Sequence, residues 1–524
     1  MISSDTRAAG LPFGTLTVGE LLRQRAQDTP DRLFLLVESP DGSVESFNFE
    51  QTLELAMRGA RVLGAIGIAP GDRCGLAINN RSEFMACWFG AALLGAAVVP
   101  MNPEATRREF AHMVSHSKAG AVVAIPDAVE AFGADVRVVE VGQEFDDLAS
   151  VALSTPASID PLAPLGVLYT SGTTSLPKGV VVTHANYLAA GEVMARHLRV
   201  RPDDRWLVVL PMYHANAQYY SVMSALVSGA SVALMPRFSA SRWGEQARRH
   251  HATLGSLFAA PIRMILNHAA RPEDSDNCLR VVCFAQNVPS PQLLEFEERF
   301  DCPLLQLYGM TETIAPPLAN PLDRRRDNMT VGFSTGASVR LVDERGEAVV
   351  GDLPGELQVS GRRGVDLMAG YLDDPDATAA AFDGDWLRTG DIVRRRDDGA
   401  IEFVDRIKHM IKTGGENVAA AEIEHVVNEH ELVLESAAVG VPDDIRDEQL
   451  HVYVVCRSDD RPTEEEILAH CAAHLAKFKV PRAVHFVDEL PRTSVGKIQK
   501  HRLGEYPMPM RQPDEHLDER LPLR

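Results

Sequence analysis

The chain has 524 residues, too many for one hydrophobic core, so two or more domains are expected. Its 52 Lys and Arg against 73 Asp and Glu give a net charge of −21, which argues against a nucleic-acid or anionic-membrane binder. Seven scattered cysteines without a CxxC pair predict neither a disulfide framework nor a zinc site and fit the reducing cytoplasm. No signal peptide is predicted, because residues 1–14 have neither a basic region nor an apolar one. No membrane span is predicted, because the longest apolar stretch, 87–100, is too short to cross a bilayer.

The first half of the chain alternates helix and strand patterns. Such alternation predicts a largely parallel sheet whose faces are covered by helices. Thr17 is the predicted N-cap of the first helix. The predicted helices cover residues 18–27, 49–63 and 107–115, and 87–100 is predicted as a core helix running into a strand. The predicted strands cover residues 32–37, 74–78, 96–99, 121–125, 206–209 and 231–235.

The second half of the chain has shorter predicted strands and fewer predicted helices. Short segments at 338–342, 356–359 and 401–404, broken by Gly and Pro, predict a small β-rich subdomain over about 320–405. Residues 407–503 follow as an α+β unit with a helix at 421–429, strands at 436–441 and 451–456, and a capping box of Thr463 and Glu466. Residues 504–524 are Pro-rich and charged and predict a disordered tail. The fold class is therefore α/β, with a large N-terminal domain over 1–406 and a smaller C-terminal one.

A loop rich in Gly, Ser and Thr is the most informative motif. Residues 169–179 read YTSGTTSLPKG. Backbone N–H groups and hydroxyls of such a loop can hold the phosphates of ATP, with the lysine as the cation. It is not a Walker A loop, because neither Ser nor Thr follows the lysine, and alone it could also be a solvent loop. The predicted phosphate-binding residues are Thr170, Ser171, Gly172, Thr173, Thr174 and Lys178.

Further motifs supply the groups that joining ATP to a carboxylate requires. In the turn YGMTET at 308–313, Tyr308 is suited to stacking on adenine, Thr311 to bonding the α-phosphate, and Glu312 to holding Mg²⁺. Gly309 completes this turn. Asp391, taken as a residue at a strand end, is suited to the ribose hydroxyls, supported by Arg406. Taken singly, each of these residues could equally be an ordinary surface group.

Lys497 lies in the segment PRTSVGK, close to the end of the predicted folded chain. A mobile lysine beside glycine can bridge a substrate carboxylate and the α-phosphate. Other groups were weighed and set aside. His470 and His474 share a helix face without a third ligand, and the arginine runs 324–326 and 394–396 favour solvated turns.

Together these motifs resemble the adenylate-forming superfamily of acyl-CoA synthetases, adenylation domains and luciferases. The resemblance covers about residues 15–503. Within it, the chain is most similar to the branch of crotonobetaine/carnitine-CoA ligases, through Ser175, residues 308–314, 410–412, 414–418 and 476–481.

The resemblance implies an AMP-forming acyl-CoA synthetase, an acid–thiol ligase. ATP, with Mg²⁺, adenylates a carboxylic acid in one half-reaction. The catalytic residues that the resemblance implies are Lys497, Thr311, Glu312, His214 and Lys178. His214 matches a position between the acyl pocket and the thiol path, where it would position the substrate, although it could also be a core histidine. In the second half-reaction the thiol of CoA attacks the acyl-adenylate, which gives the acyl-CoA thioester and releases AMP. The resemblance also implies a mobile C-terminal lid hinged at Lys408, whose segment 411–418 lines a pantetheine tunnel in the second half-reaction. The CoA-binding residues it implies are Gly414, Gly415, Lys479 and Arg482.

The acyl side is where this chain departs from the family. The resemblance implies an acyl pocket near His214, Tyr219, Gln286 and Leu307, the last standing where many relatives have a small residue. Segment 284–289 replaces the usual Gly/Ala-rich adenine loop, with Asn287 as its nucleotide contact. A trimethylammonium substrate would need an anion or aromatic cage. Tyr213, Tyr219 and Tyr220 offer aromatic faces, but Asn216 is uncharged, so a bulky, mostly apolar acid, including one of secondary metabolism, is favoured.

The sequence leaves three functional hypotheses open: a CoA ligase, a stand-alone enzyme that loads a carrier protein, and an inactive relative acting as a scaffold. The chain holds no carrier domain, which favours CoA, and it keeps the predicted catalytic residues, which weighs against the scaffold. A carnitine-type ligase remains an alternative within the first hypothesis. The expected partners are the acid, ATP and CoA, with no nucleic acid, and a homo-oligomer is left open.

Overall fold

A computed structural model of the chain describes residues 14–133, 135–151, 158–170, 177–323, 325–413, 416–443, 447–457, 461–492 and 498–505. These residues fall into two compact units, one ending at Lys408 and one beginning at His409. The α/β class is confirmed. The predicted tail lies outside the described residues except for 504 and 505.

Helices and strands alternate through the first unit. Its helices are α1 Val18–Asp28, α2 Phe49–Ala65, α3 Ser82–Leu94, α4 Arg107–Ser117, α5 Pro126–Val129, α6 Gln143–Leu148, α7 His184–His197, α8 Met223–Ser228, α9 Trp243–Arg249, α10 Ala259–Leu266, α11 Ser290–Phe300 and α12 Pro375–Ala380. Its strands up to the β-rich part are β1 Leu33–Glu38, β2 Val44–Asn48, β3 Arg73–Ala77, β4 Ala97–Pro100, β5 Ala121–Ala124, β6 Arg137–Glu140, β7 Pro164–Thr170, β8 Lys178–Thr183, β9 Arg205–Val208, β10 Ser231–Leu234, β11 Leu254–Phe258, β12 Val281–Ala285 and β13 Leu304–Tyr308.

Short strands then dominate to the end of the first unit, as predicted for about 320–405. They are β14 Leu318–Ala319, β15 Phe333–Ser334, β16 Ser338–Val342, β17 Pro354–Ser360, β18 Gly370–Tyr371, β19 Phe382–Asp383, β20 Trp386–Arg395 and β21 Ile401–Arg406. The second unit contains α13 Ala420–Asn428 and α14 Glu464–His474, with strands β22 Met410–Thr413, β23 Glu416–Ala419, β24 Val433–Asp443, β25 Asp447–Cys456 and β26 Ala483–Phe486.

Two mostly parallel sheets form the centre of the first unit. One runs β15-β14-β13-β12-β11-β9-β10-β1-β2, parallel from β13 through β1. The other runs β18-β8-β7-β4-β3-β5-β6, where β7 and β8 form an antiparallel hairpin. Parallel strands end at the same edge, so the carboxyl ends of β9, β11, β12 and β13 lie side by side, the usual position of ligand sites in such sheets.

The helices that cover these sheets begin where their sequences predict. Thr17 caps α1 in a capping box with Glu20, and Thr463 caps α14 in one with Glu466. Helix α3 is buried on every side, which confirms the interpretation of 87–100 as a core helix running into a strand. No helix of the described part of the chain is long and apolar enough to cross a membrane.

The second unit has its own core, built from α13, α14 and the sheet β23-β22-β25-β24, with β26 beside β25. His470 and His474 do share a face of α14, with ring centroids 4.7 Å apart. Their ring nitrogens bond the carbonyls of Val426 and His470, and no metal-ligating group of three is found among the described residues. The prediction of a solvated turn at 394–396 was wrong, because β20 includes Arg394 and Arg395, and Arg394 pairs with Glu402.

Candidate active site

The end of the β7–β8 hairpin carries the described part of the predicted phosphate loop. Thr170 and Lys178 face each other as the last strand pair before the loop. Both are half-buried, and the Lys178 ammonium lies 5.0 Å from the centre of the Tyr371 ring. Ser171, Gly172, Thr173 and Thr174 lie outside the described residues.

Glu312 is held at the carboxyl end of β13. The residues Thr311–Thr313 form one 3-10 turn, in which Glu312 is buried and Thr311 is partly exposed. The Tyr371 hydroxyl donates to Glu312 Oε1 over 3.0 Å, and burial raises the pKa of this carboxyl. Ile314 follows with a φ of 64°, a strained conformation for a β-branched residue and a feature of functional turns.

A second buried group joins Tyr308, Asp391 and Arg406. The Tyr308 hydroxyl donates to Asp391 Oδ2 over 2.6 Å, and Arg406 Nε lies 2.8 Å from Oδ1. Tyr308 ends β13 and Glu312 follows four residues later in the 3-10 turn, so the two groups are neighbours. A carboxylate has about four lone-pair directions, so Asp391 can still accept bonds from ribose hydroxyls.

The interpretation of Asp391 as a strand-end residue was wrong. Asp391 lies inside β20, opposite Arg406 of β21. Gly390 takes a φ of 68°, and the register between β17 and β20 shifts at this point, which is a β-bulge. The bulge lets the strand continue while it turns the Asp391 side chain into the buried group.

The residues predicted to contact adenine and the acyl group lie on two segments, one at the end of β12 and one at the end of β13. At the end of β12, Gln286 has a φ of 75°, and the Asn287 carbonyl accepts from the Arg263 guanidinium over 3.0 Å. Both side chains are exposed. Leu307 is buried within β13, one residue before Tyr308. The chain direction therefore brings Asn287 and Gly309 to adjacent ends of β12 and β13.

His214 lies on a segment that follows β9 and is fixed by Asn80. The Asn80 amide donates to the carbonyls of Leu210 and Met235, each over 3.0 Å, and its oxygen accepts from Met212 N over 2.7 Å. His214 keeps part of its surface accessible, yet desolvation by the surrounding protein lowers its pKa to about 4. At neutral pH His214 is therefore an uncharged hydrogen-bonding group.

A π-helix, Ala217–Val222, follows this segment, and π-helical turns are rare and frequent at functional sites. Tyr219 is fully buried within it, and its ring lies 5.4 Å from that of Tyr187. The Tyr219 hydroxyl has no hydrogen-bond partner among the described residues. A Cβ at Gly309 would lie 2.6 Å from the Tyr220 hydroxyl, so the close approach of the π-helix to the Tyr308 turn requires glycine.

The predicted CoA residues lie on the second unit. Lys479 pairs with Glu422 over 2.7 Å, and Arg482 is exposed. Gly414, Gly415 and Lys497 lie outside the described residues, as does the side chain of the predicted hinge residue Lys408.

Sequence reasoning missed Tyr371 and Asn80. Tyr371 links Lys178 to Glu312 although it lies 59 residues from Glu312, and Asn80 lies 130 residues from the first carbonyl it binds. Asparagine at 79 and 80, directly after the predicted strand 74–78, is a weak sequence signal for Asn80, whereas nothing in the sequence near Tyr371 indicates its contacts.

The model of the AMP-binding enzyme family matches residues 22–372, and that of the AMP-binding enzyme C-terminal domain matches residues 422–497. A crotonobetaine/carnitine–CoA ligase of Proteus mirabilis is 35% identical over 494 residues, which are 90% of this chain and 95% of that protein. This chain belongs to the AMP-binding enzyme family. The resemblance drawn from the motifs is thereby confirmed.

Other members of the AMP-binding enzyme family are similar over comparable lengths. The crotonobetaine/carnitine–CoA ligase of Citrobacter koseri is 34% identical over 93% of this chain and 99% of its own. A benzoate CoA ligase from Burkholderia xenovorans has a TM-score of 0.84 at 26% identity, covering 93% of this chain and 99% of its own. The anthranilate CoA ligase AuaEII, with a TM-score of 0.85 at 23% identity, shares the fold. The chain is an AMP-forming acyl-CoA ligase, an acid–thiol ligase.

Proposed function

We propose that this ligase activates a bulky, mostly apolar carboxylic acid, that residues of the first unit bind ATP, and that Lys497 acts in the adenylation half-reaction. An oxygen of the acid forms a bond to the α-phosphorus of ATP, and the bond to the β-phosphate breaks, releasing pyrophosphate. The CoA sulfur then forms a bond to the acyl carbon, the acyl–AMP bond breaks, and AMP leaves. Adenylation brings anions together, so catalysis needs preorganised donors and cations.

The observation that carries the nucleotide site is the adjacency of two groups of polar side chains, each built around a buried carboxylate. Lys178, Tyr371 and Glu312 form one, suited to phosphates and their cation. Tyr308, Asp391 and Arg406 form the other, suited to the nucleoside. The nucleoside and the phosphates of ATP are covalently joined and lie close together. A phosphate-binding group beside a nucleoside-binding group can therefore hold a single ATP molecule. Thr311 is the proposed donor to the α-phosphate.

Glu312 is the proposed ligand of Mg²⁺. Its chemistry fits, because Mg²⁺ prefers carboxylate and phosphate oxygens and keeps several waters. The Tyr371 hydroxyl donates to Glu312 Oε1. Burial raises the pKa of Glu312 and so disfavours its charged form, an effect that the positive charge of a bound cation would offset. When bound, Mg²⁺ neutralises phosphate charge.

The apolar substrate is favoured by the side chains on the acyl side. His214 is neutral at neutral pH, Leu307 is apolar, and Tyr219 is buried against Tyr187, so none of these three offers a charge or an open aromatic face to a trimethylammonium group. The Tyr219 hydroxyl is buried without a partner and acts electrostatically with Glu312, which suits it to donate to an oxygen of the bound acid.

A panel of acids tests this proposal. Pyrophosphate release with ATP and Mg²⁺ is measured for carnitine-like, aliphatic, aryl and polycyclic terpenoid acids, with and without CoA. We expect turnover with an apolar class, an acyl-CoA product, and a higher KM for that acid, by about fivefold, in Tyr219→Phe. Preference for carnitine-like acids would contradict the apolar pocket. Pyrophosphate release that CoA does not convert to thioester would favour a carrier-protein acceptor.

A further inference from the structure

Helix α4 presents a pair of histidines to the end of the β7–β8 hairpin. His112 and His116 lie one helical turn apart and both are half-buried. Their rings are nearly parallel, with centroids 5.4 Å apart. The helix itself is held by Phe110 and Met113, which belong to the apolar cluster on the sheet that contains β7 and β8. The histidines are therefore presented from a fixed support.

His112 binds the residue directly before β8, the strand that begins with the predicted phosphate-binding residue Lys178. His112 Nε2 lies 3.1 Å from the carbonyl oxygen of Pro177, the residue directly before Lys178. A carbonyl accepts only, so Nε2 carries the proton and donates. The bond fixes the peptide unit that joins Pro177 to Lys178.

His116 binds the opposite strand of the same hairpin. His116 Nδ1 lies 2.8 Å from the Tyr169 hydroxyl, which also lies 3.3 Å from the Met113 carbonyl. Tyr169 pairs with Gly179, next to the Thr170–Lys178 pair that closes the hairpin. The two histidines thus hold both strands within one residue of Lys178.

The same end of α4 also reaches the segment of Tyr371. Lys118 follows the helix in the left-handed region, with a φ of 53°, and its ammonium pairs with Asp373 over 2.6 Å. This exposed ion pair contributes little by itself. It adds to a backbone bond of 2.8 Å from Leu372 N to the Gly179 carbonyl. Helix α4 is therefore tied to both partners of the Lys178–Tyr371 contact.

We propose that His112 and His116 are positioning residues of the nucleotide site. They fix the hairpin end so that Lys178 stays beside the Tyr371 ring, whose hydroxyl holds Glu312. Their effect on ATP binding passes through Lys178, so the inference rests on the proposed roles of Lys178 and Glu312. The neighbouring titratable groups are His112 and Lys118 on α4 and Asp373 and Asp374 on the Tyr371 segment. Burial, followed by the neighbouring His112, lowers the pKa of His116, which keeps the Tyr169 contact uncharged near neutral pH.

A double-mutant cycle on His116 and Tyr169 tests the first contact. Steady-state pyrophosphate release is measured for His116→Ala, Tyr169→Phe and the double variant. His116→Ala removes the bond to Tyr169, and Tyr169→Phe removes that bond together with the longer one to the Met113 carbonyl. Each change should raise the KM for ATP about fivefold. The double variant should raise it no further than the larger single effect, while kcat and the KM for the acid stay within about twofold. An unchanged KM for ATP, or fully additive effects, would overturn the inference.

Conservative variants separate positioning from general stability. His116→Asn keeps a nitrogen near the Nδ1 position, and His112→Gln keeps an N–H near the Nε2 position. Both variants should therefore have a KM for ATP close to that of the wild type, whereas the alanine variants have a raised KM. Ser115→Ala, on the exposed side of α4, is the matched control and should leave the KM unchanged. Failure of Asn and Gln to restore the KM, or an equal rise in the KM values of all substrates, would indicate a purely structural role.

Lys178→Ala distinguishes failure of this inference from failure of the proposed nucleotide site. A raised KM for ATP in Lys178→Ala together with unchanged His112→Ala and His116→Ala enzymes overturns the histidine role alone. An unchanged KM in Lys178→Ala removes the basis of both proposals. If the alanine variants of the histidines do not fold, Tyr169→Phe, which keeps the buried ring, carries the test by itself.

Discussion

Individual side chains of the candidate site are held by partners that leave some of their bonding capacity open. Asp391 is bonded by Tyr308 and Arg406 and still has lone pairs for a ligand. Glu312 is bonded by Tyr371 through one oxygen. Such preorganisation lowers the cost of binding, because few side chains must be ordered when the ligand arrives.

Tyr308→Phe is the sharpest residue-scale test of the nucleoside group. The change removes a hydrogen bond to a carboxylate and keeps the ring. A bond to a charged group contributes about 1.5 kcal/mol or more, so the KM for ATP should rise about tenfold or more. The measurement is pyrophosphate release at varied ATP. Tyr453→Phe in the second unit is the control, and equal KM values for the two variants would contradict the assignment.

His214 should make stability depend on pH. Burial lowers its folded-state pKa to about 4 from an ordinary value of 6.5. The unfolded chain therefore binds the proton more readily between these values, so the stability that neutral His214 contributes is complete above 6.5 and is lost as the pH falls towards 4. His184, whose pKa burial also lowers to about 4, acts with the same sign.

The free energy of unfolding, measured at about pH 7 and about pH 5, checks this dependence. The wild type should lose at most about 2 kcal/mol more than His214→Gln between the two conditions. His268→Gln, at an exposed position, should behave as the wild type does. Equal losses for wild type and His214→Gln would show that His214 is not desolvated in solution.

Sequence patterns predicted elements better than the contacts between distant elements. Caps, periodicity and turn residues act locally, and so the helix starts at Val18 and Glu464 follow directly from Thr17 and Thr463. The β-bulge at Gly390 changes the direction of Asp391 without interrupting β20, which a local pattern does not reveal. The roles of Tyr371 and of the π-helix depend on packing between segments far apart in sequence.

Helices α2 and α3 are packed closer than side chains allow at two glycines. A Cβ at Gly59 would lie 1.9 Å from the Ala86 carbonyl oxygen, and one at Gly90 would lie 2.4 Å from Ala60 N. Backbone contact at both positions brings the axes of the two helices together over the core. Neither backbone can move away without opening packing around the buried α3.

Gly59→Ala should therefore destabilise the first unit. Overpacking of a well-packed interface costs about 3 kcal/mol when backbone must shift, far more than the gain in helix propensity of about 1 kcal/mol from Gly to Ala. The free energy of denaturant unfolding measures the loss. Gly133→Ala, where no atom lies within 4 Å of the new Cβ, is the control. A Gly59→Ala protein as stable as the wild type would contradict this contact.

At the scale of the whole molecule, the candidate residues belong to two separately folded units. The groups proposed to bind ATP lie before Lys408, whereas Lys497 lies in the sequence that the C-terminal domain model of the family matches, residues 422–497. Each of the two units has an apolar core of its own. We propose that the two half-reactions depend on different residues, with Lys497 serving adenylation and not thioester formation.

The measurement that tests this central claim most directly compares the two half-reactions in Lys497→Ala. Pyrophosphate release from ATP and acid reports adenylation, and thioester formation from supplied acyl-adenylate and CoA reports the second step. We predict that adenylation falls by a factor of about 100 or more, as expected for the loss of a preorganised charge, while thioester formation stays within about threefold of the wild type. Equal loss in both half-reactions would contradict the account.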